Sequence, residues 1–213
     1  MAARIAQHLN GHQLAVVDAE TTGLDAGYHD LIQVCVMPLD AGFQPLVWEN
    51  PKILPFIMKI KPRRPENIDH KAMMVNKLQM SDIMINGVDP DQAADYFVQW
   101  FERLALGGTR VNNKKLAPLA QNWRFDRGFL IDWLGPKTFD YCFFYQGRDT
   151  MTSALYIKDR ASMKAEVDPL PKVNLTYLAS QLKVPSERAH DAVSDSVTCA
   201  AVYRRMLLMP VAI

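Results

Sequence analysis

No window of this chain carries the ~18 uninterrupted apolar residues that a membrane span needs, and its N-terminus has no long apolar run of the signal-peptide kind. No membrane role is expected. Cysteine is scarce: Cys35, Cys142 and Cys199 lie far apart inside apolar runs. Their spacing offers neither a disulfide framework nor a zinc site, and it suits buried, reduced thiols in a cytoplasmic protein. Strong charge of either sign is missing too, the net charge being +1. That balance says nothing by itself about nucleic acid, because a polyanion can be met by a local basic patch. Internal repeats, low-complexity segments and clear linkers are absent. What remains is ordinary globular material, 49% hydrophobic and 22% charged over 213 residues. It suits a single domain, 1–213, with ample apolar content for a core.

The chain is organised around Val16-Val17-Asp18-Ala19-Glu20-Thr21-Thr22-Gly23-Leu24. Leu14 to Val17 read as a buried strand. It ends on two carboxylates spaced two apart, which an extended backbone places on one face. Two such charges about 4 Å apart repel by roughly 4 kcal/mol at an effective dielectric of 20. A divalent cation with oxygen ligands is the simplest compensation, and a solvated strand end the plain alternative. Gly23 then permits a sharp turn or a close approach to a ligand.

Further along, Leu31–Leu39 reads as a second strand, Asp40-Ala41-Gly42 as a turn and Gln44–Glu49 as the start of a return strand. Pro55–Lys61 alternates, with Phe56, Met58 and Ile60 on one face, as an edge strand does. Seven Lys/Arg between Lys52 and Lys77 face only Glu66 and Asp69; this is a solvated face first and a phosphate-facing patch second. Asp69–Leu78 is expected to be helical and to run into a polar loop up to Pro90. Asp91–Leu106 is a strong amphipathic helix, with Ala94, Phe97, Phe101 and Leu104 facing the core. Lys115–Gln121 reads as a strand that Pro118 ends or distorts. Phe125–Leu134 reads as a helix stopped by Gly135-Pro136, Phe139–Tyr145 as a strand, and Met151–Ile157, Asn174–Leu182 and Asp191–Leu208 as helices. Strands bunched first and alternating with helices later point to an α/β mixed sheet with helices on its faces.

Two other places echo the opening acids. Asp126 sits just inside a helix that follows a strand, where the helix dipole alone would favour it. His190 precedes the last helix, and Asp191 and Asp195 share a face of it at i and i+4, so spacing does not say which acid is a ligand.

Taken together, Asp18-x-Glu20-Thr21-Thr22-Gly23-Leu24, Asn122-x-x-Phe125-Asp126 and His190-x-Ala192-x-x-Asp195 resemble the three motifs of the DEDDh family of 3′-5′ exonucleases. Their order is right, and the resemblance spans Leu14 to about Leu208. Gln121 departs from it, since many relatives carry His before the Asn; that bears on substrate contacts more than on chemistry. The resemblance implies an RNase H-like fold with a five-stranded mixed sheet, its second strand antiparallel to its neighbours. It implies two Mg²⁺ or Mn²⁺ ions held by Asp18, Glu20, Asp126 and Asp195, and it selects Asp195 over Asp191. It also implies His190 as the general base, a role for which histidine's reference pKa near 6.5 is suited.

The expected activity is metal-dependent release of nucleoside 5′-monophosphates from 3′ ends, single-stranded DNA being favoured over RNA. Backbone groups at Thr21, Thr22 and Gly23, the side chain of Leu24, and Asn76, Gln121 and Asn122 are the expected substrate contacts. An exoribonuclease acting on RNA 3′ ends is the nearest alternative. A non-catalytic nucleic-acid-binding or polymerase-associated subunit is the second, though a binding module has no need of four mutually repelling acids. The chain stops shortly after its last expected helix, so no polymerase-binding tail is expected. A homodimer remains open.

Overall fold

The computed structural model describes residues 11–106, 115–186 and 191–209. Five strands, β1 (Gln13–Thr21), β2 (Leu31–Pro38), β3 (Phe56–Lys59), β4 (Leu116–Ala120) and β5 (Arg148–Asp149), form one sheet ordered β3-β2-β1-β4-β5. The helices among these residues are α1 (Leu46–Glu49), α2 (His70–Asn76), α3 (Met80–Asn86), α4 (Pro90–Leu106), α5 (Trp123–Leu134), α6 (Pro136–Cys142), α7 (Thr150–Met163), α8 (Leu175–Gln181) and α9 (Ala192–Leu207). β2 runs antiparallel to both β1 and β3, whereas β4 is parallel to β1 and β5 to β4. This is the mixed α/β sheet that the sequence led us to expect.

The period of two along β1 sorts its side chains between two cores. Ala15, Val17 and Ala19 join Val34 and Val36 of β2 under Phe97 and Phe101 of α4 and Phe129 and Leu130 of α5. Leu14 and Val16 join Cys35 and Met37 under Ala192, Cys199 and Ala200 of α9. Asp18 and Glu20 continue the second parity, so they leave the strand on the side covered by α9. Their partners across the ladder are Cys35 and Gln33. The register shifts between Glu20 and Thr21, and this irregularity releases the chain from the sheet directly after the second acid. Cys35, Cys142 and Cys199 are all buried thiols. Burial pushes the Cys35 thiol up to about 12, so it stays protonated and inert.

Several sequence expectations change. Gln44–Glu49 does not return as a strand. Asp40 Oδ1 accepts from the backbone N–H of Gly42 (2.7 Å) and Gln44 (2.8 Å), closing a tight turn. A single bridge then pairs Leu39 with Pro45, and 46–49 coil into α1, burying Leu46. The expected loop before Pro90 contains α3, which has only Ile83 buried and no side-chain cap and so leaves little trace in the sequence.

Phe139–Tyr145, rich in strand-forming aromatics, is mostly α6 instead. Pro136 opens that helix, and Phe139 and Cys142, three apart, both turn into the core. The outer strand beside β4 is β5, two polar residues long. Pro118 lies inside β4, paired with Ala15 of β1. Its missing N–H points away from β1, into the gap between the Leu116–Phe143 bridge and the Leu119–Arg148 pair. β3 is an edge strand as expected.

Candidate active site

Asp18 and Glu20 at the end of β1 meet Asp195 in the first turn of α9. Each offers a carboxylate oxygen, and the three oxygens lie within 4.8 Å of one another. Asp126, in the first turn of α5 and only 6% exposed, closes on Asp18 from another side. The connection explains its position. β4 ends at Ala120, parallel to β1, and α5 begins after two intervening residues, so its first turn comes down beside the end of β1.

The electrostatics record the crowding. Burial, then the charges of Asp126, Glu20, Asp195 and Asp191, hold the Asp18 carboxyl well above the usual carboxylate range. Burial, with Asp195 and Asp191, pushes Glu20 up to about 7. Asp126 rises to about 8, chiefly through burial; its own backbone N–H and that of Ala19 oppose the rise, and Asp149 and Glu20 add to it. Among the described residues, no lysine or arginine contributes to these shifts. Hard carboxylate oxygens converging in this way are the donor set that a divalent ion such as Mg²⁺ or Mn²⁺ takes. The residues present fit such an ion.

Asp191 is held differently. It caps α9, its Oδ1 accepting from Val193 N–H at 3.2 Å, and it contributes charge to the cluster from there. His190 lies outside the described residues.

The turn after β1 is stitched from several directions. Thr22 is fully buried; its hydroxyl donates to Asn67 O (3.1 Å) and accepts from Asp30 N–H (2.9 Å). The Thr21 hydroxyl donates to Gly23 O at 2.6 Å. Asn76 of α2 is buried, donating to Thr21 O (3.1 Å) and accepting from Leu78 N–H (3.0 Å). Gln121 donates to Val173 O (2.7 Å) and accepts from the Thr150 hydroxyl (2.5 Å). Thr22, Asn76 and Gln121 therefore spend their side chains on the protein itself. Leu24 (72% exposed) and Asn122 are the residues of this set that present open side chains.

Two contributors escaped the sequence reading. Arg64, taken there as part of a basic stretch, donates to both Asp30 and Asp132 and to the carbonyls of Gly27 and His29. It ties the loop after β1 to α5. Lys59 and Arg63 of the same stretch also pair, with Asp82 (2.5 Å) and Asp91 (2.6 Å), so much of that basicity is internally matched. The other contributor is Asp149. It caps α7 through Met151 and Thr152 N–H and accepts from Trp123 N–H at 2.8 Å. An acid followed by Thr before a helix was its available signal.

Residues 15–203 match the RNase_T family, described as Exonuclease. The chain belongs to this exonuclease family. The matched span holds Asp18, Glu20, Asp126 and Asp195, and it agrees with the DEDDh resemblance drawn from the three motifs. Solved structures of exonucleases show the same RNase H-like fold. E. coli exonuclease I in complex with a dT13 oligonucleotide is similar at a TM-score of 0.64 and 17% identity, over 91% of this chain and 40% of that one. The nuclease domain of 3′hExo, a DEDDh family member bound to rAMP, gives 0.62 and 16%, over 91% and 90%. Cell-death related nuclease 4 gives 0.65 and 18%, over 92% and 64%. The chain thus spans about two fifths of the length of the exonuclease I structures it resembles. A search of curated proteins finds no match.

Proposed function

We propose that this exonuclease-family chain is a metal-dependent 3′-5′ exonuclease that releases nucleoside 5′-monophosphates from the 3′ end of single-stranded DNA. The observation that carries the reading is the convergence of Asp18, Glu20 and Asp195 within 4.8 Å, with Asp126 buried beside Asp18. These four residues would hold two divalent cations. Such ions, when bound, supply Lewis acidity, lowering the pKa of an attacking water and stabilising the charge of a leaving 3′ oxygen.

The chain's own residues do the rest. His190 takes the proton of the attacking water, a role assigned from its place in the third motif. The backbone from Thr21 to Gly23, fixed by Asp30, Asn67 and Asn76, forms one wall for the terminal nucleotide. The exposed side chain of Leu24 offers an apolar surface to its base. Arg64 keeps that wall in register with α5 by holding Asp30 and Asp132 together. DNA is placed ahead of RNA on the similarity to an exonuclease I seen with a DNA oligonucleotide.

The test is digestion of matched, 3′-labelled single-stranded DNA, duplex DNA and RNA with Mg²⁺ and with EDTA. Mononucleotides should leave the single-stranded DNA fastest, and only with the metal. Folded protein that binds these strands and cuts none of them would establish a binding module instead. Faster release from RNA would move the substrate to the exoribonuclease class.

A further inference from the structure

A cleft of about 550 Å³ opens beside α5, between its first turns and the 145–149 segment that leads into α7. Three arginines line it: Arg124 and Arg127 of α5, and Arg148 of β5. Among the described residues, none of the three pairs with a carboxylate. Arg127 instead lies over the Phe139 ring, 5.7 Å from its centroid. The one acid in the lining, Asp149, is already engaged by the N–H groups of Trp123, Met151 and Thr152.

Two donors buried in the residues that line the cleft have no acceptor among the described residues. One is Nη1 of Arg148 and the other is Nε1 of Trp123, a residue only 8% exposed. Buried N–H groups are rarely left this way, so the wall of the cleft carries donor capacity that the described residues do not use. Gly147 packs directly on that indole, since a Cβ there would lie 2.6 Å from its nitrogen. Tyr145, well exposed at the rim, offers a ring on which a base can stack.

Unmatched arginines with spare N–H donors and an open aromatic are the chemistry of a phosphodiester site in a single strand. Trp123, Arg124 and Arg127 lie within one turn of Asp126, so the cleft adjoins the carboxylates. We infer that it is a subsite for a backbone phosphate of the substrate strand, upstream of the terminal nucleotide held at Asp18, Glu20, Asp126 and Asp195. This deepens the exonuclease reading and rests on it. Its consequence is that the enzyme should favour strands of several nucleotides over a lone terminal ester.

The experiment compares wild type with Arg124→Ala and Arg148→Ala on two substrates: a labelled single-stranded oligonucleotide, and an aryl ester of a nucleoside 5′-phosphate that has no upstream phosphate. For each arginine removed, kcat/KM on the oligonucleotide relative to the ester should fall about tenfold. The dependence of log binding on log salt should flatten by about 0.7 per lost phosphate contact. Equal loss on both substrates, or no change on the oligonucleotide with Arg124→Ala, overturns the subsite. Fluorescence anisotropy of the labelled oligonucleotide in EDTA separates this from the enzymatic reading. If wild type cuts neither substrate, the exonuclease reading fails, yet salt-sensitive binding that weakens in Arg124→Ala still supports the cleft; binding indifferent to both substitutions overturns it. Arg124 is exposed, so its removal tests the subsite even where Arg148→Ala lowers the melting temperature.

Discussion

A Cβ on Gly23 would lie 2.1 Å from Cδ2 of the His29 imidazole. The ring is fixed where it is: His29 is buried, and its Nδ1 accepts from Asp25 N–H at 3.2 Å. Gly23 thus has a steric reason to be glycine that concerns the protein and not a nucleotide.

Gly23→Ala should displace either the ring or the turn. Overpacking of this kind destabilises by about 1–3 kcal/mol, and the turn that moves is the proposed wall for the terminal nucleotide. We expect a lower denaturation midpoint together with a raised KM. Unchanged values for both would show that the loop from Gly23 to Asp30 relaxes freely, and that Arg64 does not hold it.

The acid cluster makes a prediction about pH. Glu20 titrates near 7 in the folded chain against 4.5 as a free side chain, and Asp126 near 8 against 3.8. Both values are raised, so the folded state holds protons that the unfolded state has already released. Their contribution to metal-free stability is complete below the unfolded values and is lost as pH rises through the folded ones. In EDTA the melting temperature should therefore fall between about pH 5 and about pH 8. Glu20→Gln should flatten part of that fall, leaving a protein more stable at the upper end and inactive. A metal-free melting temperature that climbs over the same interval would contradict the assigned repulsion.

Metal should reverse the effect. An ion that binds only the folded chain at a hundred times its dissociation constant adds about 2.7 kcal/mol. For a protein of this size that is about 5–10 °C in melting temperature. Calorimetry at slightly alkaline pH, with EDTA and then with excess Mg²⁺ or Mn²⁺, measures it, and nuclease activity should return in the same titration. Activity undiminished in EDTA would remove the two-metal reading.

Asp191 and Asp195 should separate cleanly. Asp195→Asn takes the negative charge and one oxygen from one of the three carboxylates and should abolish cleavage. Asp191→Ala removes an N-cap, lowering stability by about 1 kcal/mol, and should leave most of the activity. The opposite pattern in paired turnover and melting measurements would mean that Asp191 is the ligand.

His190→Ala should bind oligonucleotide and metal nearly as wild type does, yet turn over about 10²–10⁴-fold more slowly. The acid limb of the rate profile, where protonation of the base silences the wild type, should largely vanish in the variant. A kcat within a small factor of wild type, accompanied by a lower melting temperature, would make His190 a helix-capping residue.

The site was legible in the sequence where chemistry and period coincide. Asp18 and Glu20 stand two apart on a strand, and the motif around Asp195 marks the turn of α9 that meets them. The central strands and the long helices α4 and α9 were legible for the same reason, being long and strongly patterned. The sequence was silent where tertiary context overrides composition. The aromatics of Phe139–Phe143 read as a strand, but Pro136 and the core beneath α6 turn them into a helix. β5, two residues long, carries no periodicity at all. Arg64 looked like one of several surface cations, and only folding brings Asp30 and Asp132, 34 and 68 residues away, to its guanidinium.

The shared parity of Asp18 and Glu20 with Leu14 and Val16 has a consequence for how this chain can change. Because β1 alternates between two cores, inserting or deleting one residue between Gln13 and Asp18 would swap its faces, turning the acids toward α5 and its aromatic core. Such a slip would disable the chemistry and ruin both cores at once. Length variation among descendants of this sequence should accordingly fall elsewhere, in segments such as 50–55 or 163–170, where an added residue shifts no strand.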